Sequence, residues 1–465
     1  MSVGVLPRWV KAGYGLAQTG TNASEVLLRL YLLIFYTDVV GLEPALAGYA
    51  TALAIIWDGF TDPLMGVISD RTRTRWGRRR PWIVLGGALL AICLYLVFTP
   101  PTLETQGGKF AFLLFSYMLV NTASTIIGIP HSALGSELTA DRTQITEIYG
   151  WRLIFGNVGA IAGTIIPGAI LTSLAGTSTA DRSLAHAHAA LLIGGLIVVS
   201  AGMTWLATSG RDHLPIVDRH VAKPSRIRIQ LRAMLANRPF LILLSAYLVA
   251  TIGTAINSTF AFYYYKYRLL LTEQQTQKII AFFIVIFCIA LVGWIVAANR
   301  YDKKRLLFFG AFSLGCMTVI GYPLFPAREE FWPLAAGVLG GILVGSILLL
   351  DAMLIDCIDY DTVRTREAKS GLYFGIWLMA GKMSRAIAVA LSGKILSLIG
   401  FAPNTEQTSE VSRKIALTFG PGVGSFFIGG ALIALLFPLT SKHVEKIRRI
   451  VDKRSARLAA TRAEA

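Results

Sequence analysis

Charged residues are scarce in this sequence of 465 residues, at 15%, and hydrophobic residues make up 54% of it. Soluble domains carry about 25% charged residues. Mean hydropathy is +0.59, so a division into soluble domains of about 150 residues would be misleading. The lack of charge and the long apolar runs indicate a chain that lies in a lipid bilayer.

Several chemical signatures are missing as well. Cysteine occurs four times, mostly within apolar runs, so we expect no disulfide framework. A phosphate-binding loop, a nucleophile constellation and zinc-ligand spacing are all absent from the sequence, and the first apolar run lacks a signal-peptide cleavage pattern. We therefore expect that the protein is not an enzyme, is not driven by a fused ATPase, binds no cofactor and has no cleaved leader.

Twelve apolar segments are long enough to span a membrane, which requires about 20 residues each. They are predicted as helices at 13–36, 44–68, 82–100, 110–134, 148–174, 186–207, 239–263, 278–298, 305–325, 332–355, 372–399 and 416–439.

Lysine and arginine set the orientation. If both termini are cytoplasmic, 31 of the 44 basic residues fall in inner segments, 8 in outer loops and 5 within spans. This bias predicts an N-in, C-in, multi-pass protein of the plasma membrane, the inner membrane in a bacterium. The net charge of +17 does not indicate nucleic-acid binding, because the basic residues lie between apolar segments.

The longest inner connection divides the spans six and six, and similar charged loops recur at matching places in the two halves. We predict an all-α membrane protein with bundles at 1–207 and 239–440, a cytoplasmic linker at 208–238 and a basic cytoplasmic tail at 441–465. The tail is either solvated or in contact with anionic lipid headgroups.

The second span carries two carboxylates. Asp58, Thr61 and Asp62 stand at i, i+3 and i+4 on one helical face. Such hard oxygens suit a small cation such as sodium, and a shared proton is the alternative because like charges raise one pKa. A purely structural role, pairing with Arg or Lys across the bundle, remains open.

Other ionisable residues lie in spans 1, 5 and 11, where charge is costly and usually functional. Span 1 has Asn22, Glu25 and Arg29; Glu25 and Arg29 either neutralise each other or line a substrate cavity. Span 11 has Lys382, a counter-charge for the second-span carboxylates when no cation is bound, and Arg385.

Two further residues have competing interpretations. Trp377 offers an aromatic face for a sugar or packs in the core. Arg152 in span 5 points into the cavity or extends to the membrane surface.

The inner loops contain a candidate gate. The segment 69–81 is basic and carries Asp70, which can close ion pairs with arginines of neighbouring helices in one state of alternating access. Positive charge that only sets the topology is the simpler interpretation. The candidate gating residues, including a counterpart in the second half, are Asp70, Arg71, Arg78, Arg79, Asp141, Arg142, Asp356, Asp359 and Arg364.

These motifs together resemble a known family. They comprise residues 58–66, 69–73 and 77–82, residues 129–134 and 137–142, Asp359-Tyr360-Asp361 with residues 371–373, and residues 36–42. The chain is similar to the glycoside–pentoside–hexuronide:cation symporters, the melibiose-permease branch of the major facilitator superfamily. The resemblance covers both halves and implies two six-helix bundles in that fold.

The resemblance also implies roles for individual residues. The family's cation site matches Asp58 and Asp62, with Thr61 where asparagine is common and Thr125 on helix 4. Its helix 11 lysine matches Lys382, and an arginine near the sugar matches Arg152.

The sequence departs from the family pattern at positions that bind the substrate. The two sugar-binding aspartates of melibiose permease correspond to Asn22 and Gly128, and a tryptophan beside the second corresponds to Ser132. The expected cavity holds four basic side chains and three carboxylates, so one positive charge is in excess, which favours an acidic glycoside. The basic residues are Arg29, Arg152, Lys382 and Arg385, and the acids are Glu25, Asp58 and Asp62.

The leading hypothesis is a monomeric symporter that couples a sugar or glycoside to sodium or a proton by alternating access. Thr61 does not decide between sodium and a proton as the coupling cation, and we favour sodium. A symporter of lysophospholipid or another amphipathic solute is the alternative, and a non-transporting membrane sensor is a third.

Overall fold

The computed structural model describes residues 6–139, 141–174, 178–210, 234–365 and 370–439, together with residues 443 and 445. Within these residues the chain forms twelve long helices and no strand. They are α1 Arg8–Asp38, α2 Pro44–Arg71, α3 Arg80–Val97, α4 Gln106–Glu137, α5 Arg142–Leu174, α6 Thr179–Ala207, α7 Arg238–Arg268, α8 Glu273–Arg300, α9 Lys303–Leu324, α10 Phe331–Thr365, α11 Ser370–Leu398 and α12 Ser409–Leu435. Each predicted span overlaps one of these helices, so the all-helical prediction is confirmed.

Eleven of the described helices are long and apolar enough to cross a membrane, and α1 is the exception. The polar residues between Gln18 and Arg29 lower the hydropathy of α1. Most of α1 is nevertheless buried, because it packs against α5 and α6. A polar span is tolerated where protein rather than lipid surrounds it.

The two halves pack by the same scheme. In the first half α1 lies on α5 and α6, α3 on α4 and α6, and α2 on α4. In the second half α7 lies on α11 and α12, α9 on α10 and α12, and α8 on α10. This repetition shows two six-helix bundles, while the bounds 1–207 and 239–440 stay a prediction. Most of the predicted linker and the predicted tail lie outside the described residues.

The most extensive contacts between the halves join α1 to α7, α2 to α11 and α5 to α8. Gly48 of α2 and Gly393 of α11 lie in close contact. A Cβ built on Gly393 would lie 2.2 Å from the carbonyl oxygen of Pro44 and 2.9 Å from Cα of Gly48. Glycine is required here because any side chain would push the two helices apart.

A polar cluster closes the outer side of the interface. Buried Asp38, the last residue of α1, accepts a hydrogen bond of 2.5 Å from the hydroxyl of Tyr267 and pairs with Lys266. The hydroxyls of Thr37 and Tyr263 lie 2.8 Å apart. These contacts hold the outer end of α1 against the outer end of α7.

The inner side has a different pattern. The inner ion pairs Lys11–Glu147, at 2.5 Å, and Lys303–Asp356, at 2.7 Å, each stay within one half. Hydrogen bonds between described residues of the two halves lie at mid-membrane and on the outer side, among them those at the ends of α1 and α7. The halves are therefore joined on the outer side, in the orientation set by the charge bias.

Candidate functional site

Four oxygen-bearing side chains and one lysine meet at the middle of the membrane. Asp58 and Asp62 lie halfway along α2, and the hydroxyl of Thr125 on α4 lies 2.6 Å from Oδ1 of Asp58 and 2.8 Å from Oδ1 of Asp62. Thr61 is buried at the edge of the cluster, with its hydroxyl 3.5 Å from that of Thr125. The structure therefore brings together all four predicted cation-binding residues.

Lys382 connects this cluster to the second half of the protein. Its Nζ lies 2.6 Å from Oδ2 of Asp58 and also pairs with Asp62. One ammonium between two carboxylates relieves part of their mutual repulsion and leaves one negative charge. A cation that enters the cluster competes with Lys382 for the same oxygens, and water reaches them because the three side chains are 18–28% exposed.

A second charged group bridges the halves. Glu25 of α1 accepts hydrogen bonds from Arg29, at 2.7 Å, and from Arg385 of α11, at 2.6 Å. The side chains of these residues are 38–47% exposed although all lie in the middle of their helices. Charged side chains at that depth require water, so a hydrated cavity separates the halves here.

Arg152 belongs to a chain of hydrogen bonds along α1 and α5. Its Nε donates to Gln18 at 2.7 Å, and the amide of Gln18 donates to Asn22 at 2.9 Å. Asn22 in turn donates to the carbonyl of Gly156 at 3.0 Å. Sequence reasoning missed Gln18, although its spacing of one helical turn from Asn22 is visible in the sequence.

Gly128 and Ser132 lie on α4. No atom comes within 4 Å of a Cβ built on Gly128, so this position borders open space. Ser132 turns its hydroxyl back to the carbonyl of Gly128 at 2.8 Å. The place where melibiose permease is expected to hold a sugar-binding aspartate is therefore open here.

Trp377 does not present a free ring in this conformation. It is 3% exposed, its ring centroid lies 3.9 Å from that of Tyr247, and its Nε1 donates to Asp351 at 2.6 Å. Asp351 is an exposed carboxylate within α10 that sequence reasoning missed, although it was visible as an acid inside the tenth span. With Asp351 included, the expected cavity holds four carboxylates and four basic groups. Its net charge therefore no longer favours an acidic substrate.

The candidate gate of the first half forms one cluster. Arg79 pairs with Asp70 and, at 3.0 Å, with Glu137, while Arg78 reaches Glu137 at 2.6 Å. These contacts join α2, α3 and α4 within a single half. Arg71 is exposed.

Among the described residues, the contacts of the remaining candidate gating residues are spread over both halves. Asp356 pairs with Lys303 at 2.7 Å, whereas Arg364 donates to the carbonyl of Ala236 at 3.2 Å. Asp359 is half-buried on α10. Asp141 accepts a hydrogen bond from Gln144 at 3.3 Å, and the side chain of Arg142 lies outside the described residues.

Two similarly packed six-helix halves, closed on one side around charged groups at mid-membrane, define a secondary transporter and not an enzyme. The chain belongs to the family of MFS/sugar transport proteins, whose model matches residues 13–441. The resemblance to the glycoside–pentoside–hexuronide:cation symporters is confirmed by its relatives.

Three relatives are similar over nearly their whole lengths. The glucuronide carrier protein homolog of Escherichia coli K12 is 28% identical, covering 95% of each chain. The putative glycoside/cation symporter YagG of the same organism is 27% identical, over 96% of this chain and 95% of the relative. The isoprimeverose transporter of Lactiplantibacillus pentosus is 24% identical, over 97% and 93%.

Solved structures share the fold. A D-xylose–proton symporter superposes with a TM-score of 0.65 at 14% identity, covering 94% of this chain and 98% of that one. A bacterial homolog of the lysosomal transporter Spinster, in an inward-facing and unoccupied conformation, gives a TM-score of 0.66 at 12% identity, over 97% and 99%.

Proposed function

We propose that this protein is a symporter of the bacterial inner membrane that carries a sugar or glycoside inward together with sodium. One observation carries the proposal: Lys382 of one half is bound to Asp58 and Asp62 of the other, at the place where a cation would bind. A cation that takes over these carboxylates frees Lys382 and alters the contact between the halves.

The cluster supports sodium over a proton. Two carboxylates and the hydroxyls of Thr61 and Thr125 supply the hard oxygens that a sodium ion requires, whereas a proton needs a single carboxylate. The cation binds first, because its arrival frees Lys382, and the substrate follows. By linkage, each ligand then raises the affinity for the other by the same factor.

The substrate is assigned to the hydrated cavity beside this cluster. Arg29, Arg152 and Arg385 supply donors, and Gln18 and Asn22 supply amides that can bind hydroxyl groups. The printed names of the relatives concern a glucuronide, a glycoside and isoprimeverose. A sugar or glycoside is the substrate class that both observations support.

The test is uptake into vesicles with sodium and pH gradients imposed separately over a panel of glycosides. We expect a sodium gradient to drive accumulation, and Asp62→Asn to abolish accumulation because the substituted amide cannot hold the cation against Lys382. Asp181→Asn, at the exposed start of α6, is the matched control and should leave uptake unchanged.

Two results would contradict the proposal. Normal gradient-driven accumulation by a correctly inserted Asp62→Asn protein would remove the carboxylates from the coupling step. Accumulation that follows the pH gradient alone would replace sodium by a proton.

A further inference from the structure

We propose that Asp351 is a substrate-binding residue that accepts hydrogen bonds from hydroxyl groups of the glycoside, and that Trp377 is a positioning residue that orients its carboxylate. The proposal rests on the proposed function and adds a second-half subsite to it. Asp351 lies on α10, Trp377 on α11 and Tyr247 on α7.

The carboxylate is held on one side only. Oδ1 of Asp351 accepts the indole N–H of Trp377 at 2.6 Å. In the part of the chain that the structure describes, no basic group lies within ion-pair distance of Asp351. A carboxylate has about four acceptor sites and Trp377 uses one, so about three remain for other donors.

The neighbours of Asp351 indicate that it opens to water between the halves and not to lipid. Asp351 is exposed, whereas Trp377 is almost fully buried and stacks on half-buried Tyr247. Both helices that supply these rings, α7 and α11, contact the first half. An unpaired carboxylate that faced hydrocarbon would be strongly disfavoured.

The face of α11 that carries Trp377 continues to the charged groups at mid-membrane. Trp377, Gly381 and Arg385 follow one another at intervals of one turn, and a Cβ built on Gly381 would lie 2.5 Å from the hydroxyl oxygen of Tyr247. Trp377 lies five residues before Lys382, about 7.5 Å nearer the cytoplasm along the helix. The subsite therefore lies about one sugar ring inward of the cation cluster.

The backbone of α10 is distorted just before Asp351. Residues Gly345–Leu348 form a 3₁₀ turn inside the helix, and the indole of Trp294 donates to the carbonyl of Ile342 at 2.7 Å. A mid-helix 3₁₀ turn often marks a functional hinge or a strained segment. The turn changes the direction in which the residues after it, including Asp351, face.

Hydroxyl groups fit this site better than a second cation. The groups around Asp351 are aromatic rings and one N–H donor, whereas a metal ion would require several further oxygens. A carboxylate held by a single N–H donor suits a sugar, whose hydroxyls donate to the acid. The first half also lacks a carboxylate at Asn22 and Gly128, so Asp351 supplies an acceptor that these positions do not.

The test measures binding to the purified full-length protein at saturating sodium. A glycoside from the uptake panel and its singly deoxygenated analogues are titrated against wild type and Asp351→Asn. We expect the Asp351→Asn protein to bind the glycoside at least about tenfold more weakly, because hydrogen bonds to a charged acceptor are stronger than those to an amide. It should bind one deoxy analogue about as well as wild type does.

Trp377→Phe tests positioning. The substitution keeps the stacked ring and removes the N–H donor, so it should weaken glycoside binding less than Asp351→Asn does. The double variant should be no weaker than Asp351→Asn alone, since the donor acts only through the carboxylate.

Sodium binding without sugar provides the control for folding. It should be unchanged in both variants, because the cation cluster is separate. Equal affinity of wild type and Asp351→Asn for the glycoside, or a uniform loss across all analogues, would overturn the proposal. Failure of wild type to bind any glycoside would instead contradict the proposed function.

Discussion

At the residue scale, a single hydroxyl, that of Thr125, serves both carboxylates of the cation cluster. Its oxygen lies 2.6 Å and 2.8 Å from the two acids, so it fixes their separation as well as offering a ligand. Thr125→Val keeps the shape and removes both functions. We expect sodium affinity to fall roughly tenfold, the size of one lost hydrogen bond to a charged group.

Sodium titration of the purified protein checks this expectation. The control is Thr318→Val, a buried position whose hydroxyl bonds only within its own helix, to Leu314 at 2.6 Å. An unchanged sodium affinity in Thr125→Val would exclude Thr125 as a ligand or organiser.

Glu25 and Arg385 form an ion pair between the halves, in addition to the donors that Arg385 offers the substrate. Glu25→Gln should reduce uptake, because Arg29 and Arg385 would then repel each other in the cavity. Exchanging the charges, Glu25→Arg with Arg385→Glu, should restore part of the uptake, since the new acid can pair with two arginines.

The same exchange in the exposed pair Glu410–Lys414 is the control and should have no effect on uptake. If the exchanged protein inserts and binds sodium normally but transports no better than Glu25→Gln, the ion pair does not support transport by joining the halves.

Sequence reasoning found the carboxylates of the second span but missed Gln18 and Asp351. Helical spacing alone placed Asp58, Thr61 and Asp62 on one face. Asp351 lies in an otherwise apolar segment and has no partner one turn away, so periodicity could not identify it. The burial of Trp377 depends on Tyr247, which is 130 positions earlier in the sequence and meets it only in the folded state.

At the element scale, the outer ends of α2 and α11 meet through two glycines. Gly393→Leu should prevent this contact and hold the protein outward-facing, because the added atoms would overlap Pro44 and Gly48. Net uptake should be lost, while external glycoside still binds. Gly195→Leu on α6 is the matched control, since no atom lies within 4 Å of a Cβ built there.

Thiol labelling from outside reports the conformation directly. A cysteine replacing half-buried Gln277, whose side chain bonds to Tyr31 across the interface, should react faster in Gly393→Leu than in the control. Equal labelling rates in the two variants would show that this contact does not set the outer closure.

The helices themselves were predictable because lipid permits only segments whose backbone bonds are satisfied internally. Their ends were less so: α1 begins at Arg8 and α5 at Arg142, each about one turn or more before the apolar run predicted for it. The 3₁₀ turn in α10 begins at Gly345-Ser346, and helices often bend at such a pair, so this signal was missed.

At the scale of the whole molecule, the sequence indicated two halves and their orientation but not which side is closed. That choice depends on a small free-energy difference between two packings of the same residues, which ligands can shift. Asp38 and its partners on α7 illustrate this, because they are ordinary polar residues at helix ends until the halves meet.

The central claim is that a cation at Asp58 and Asp62 frees Lys382 and thereby prepares the substrate site. Measuring glycoside affinity with and without saturating sodium, and sodium affinity with and without saturating glycoside, tests it most directly. We predict that each ligand raises the affinity for the other by the same factor in wild type, and that Asp62→Asn abolishes both increases. A glycoside affinity in wild type that is independent of sodium would contradict the account.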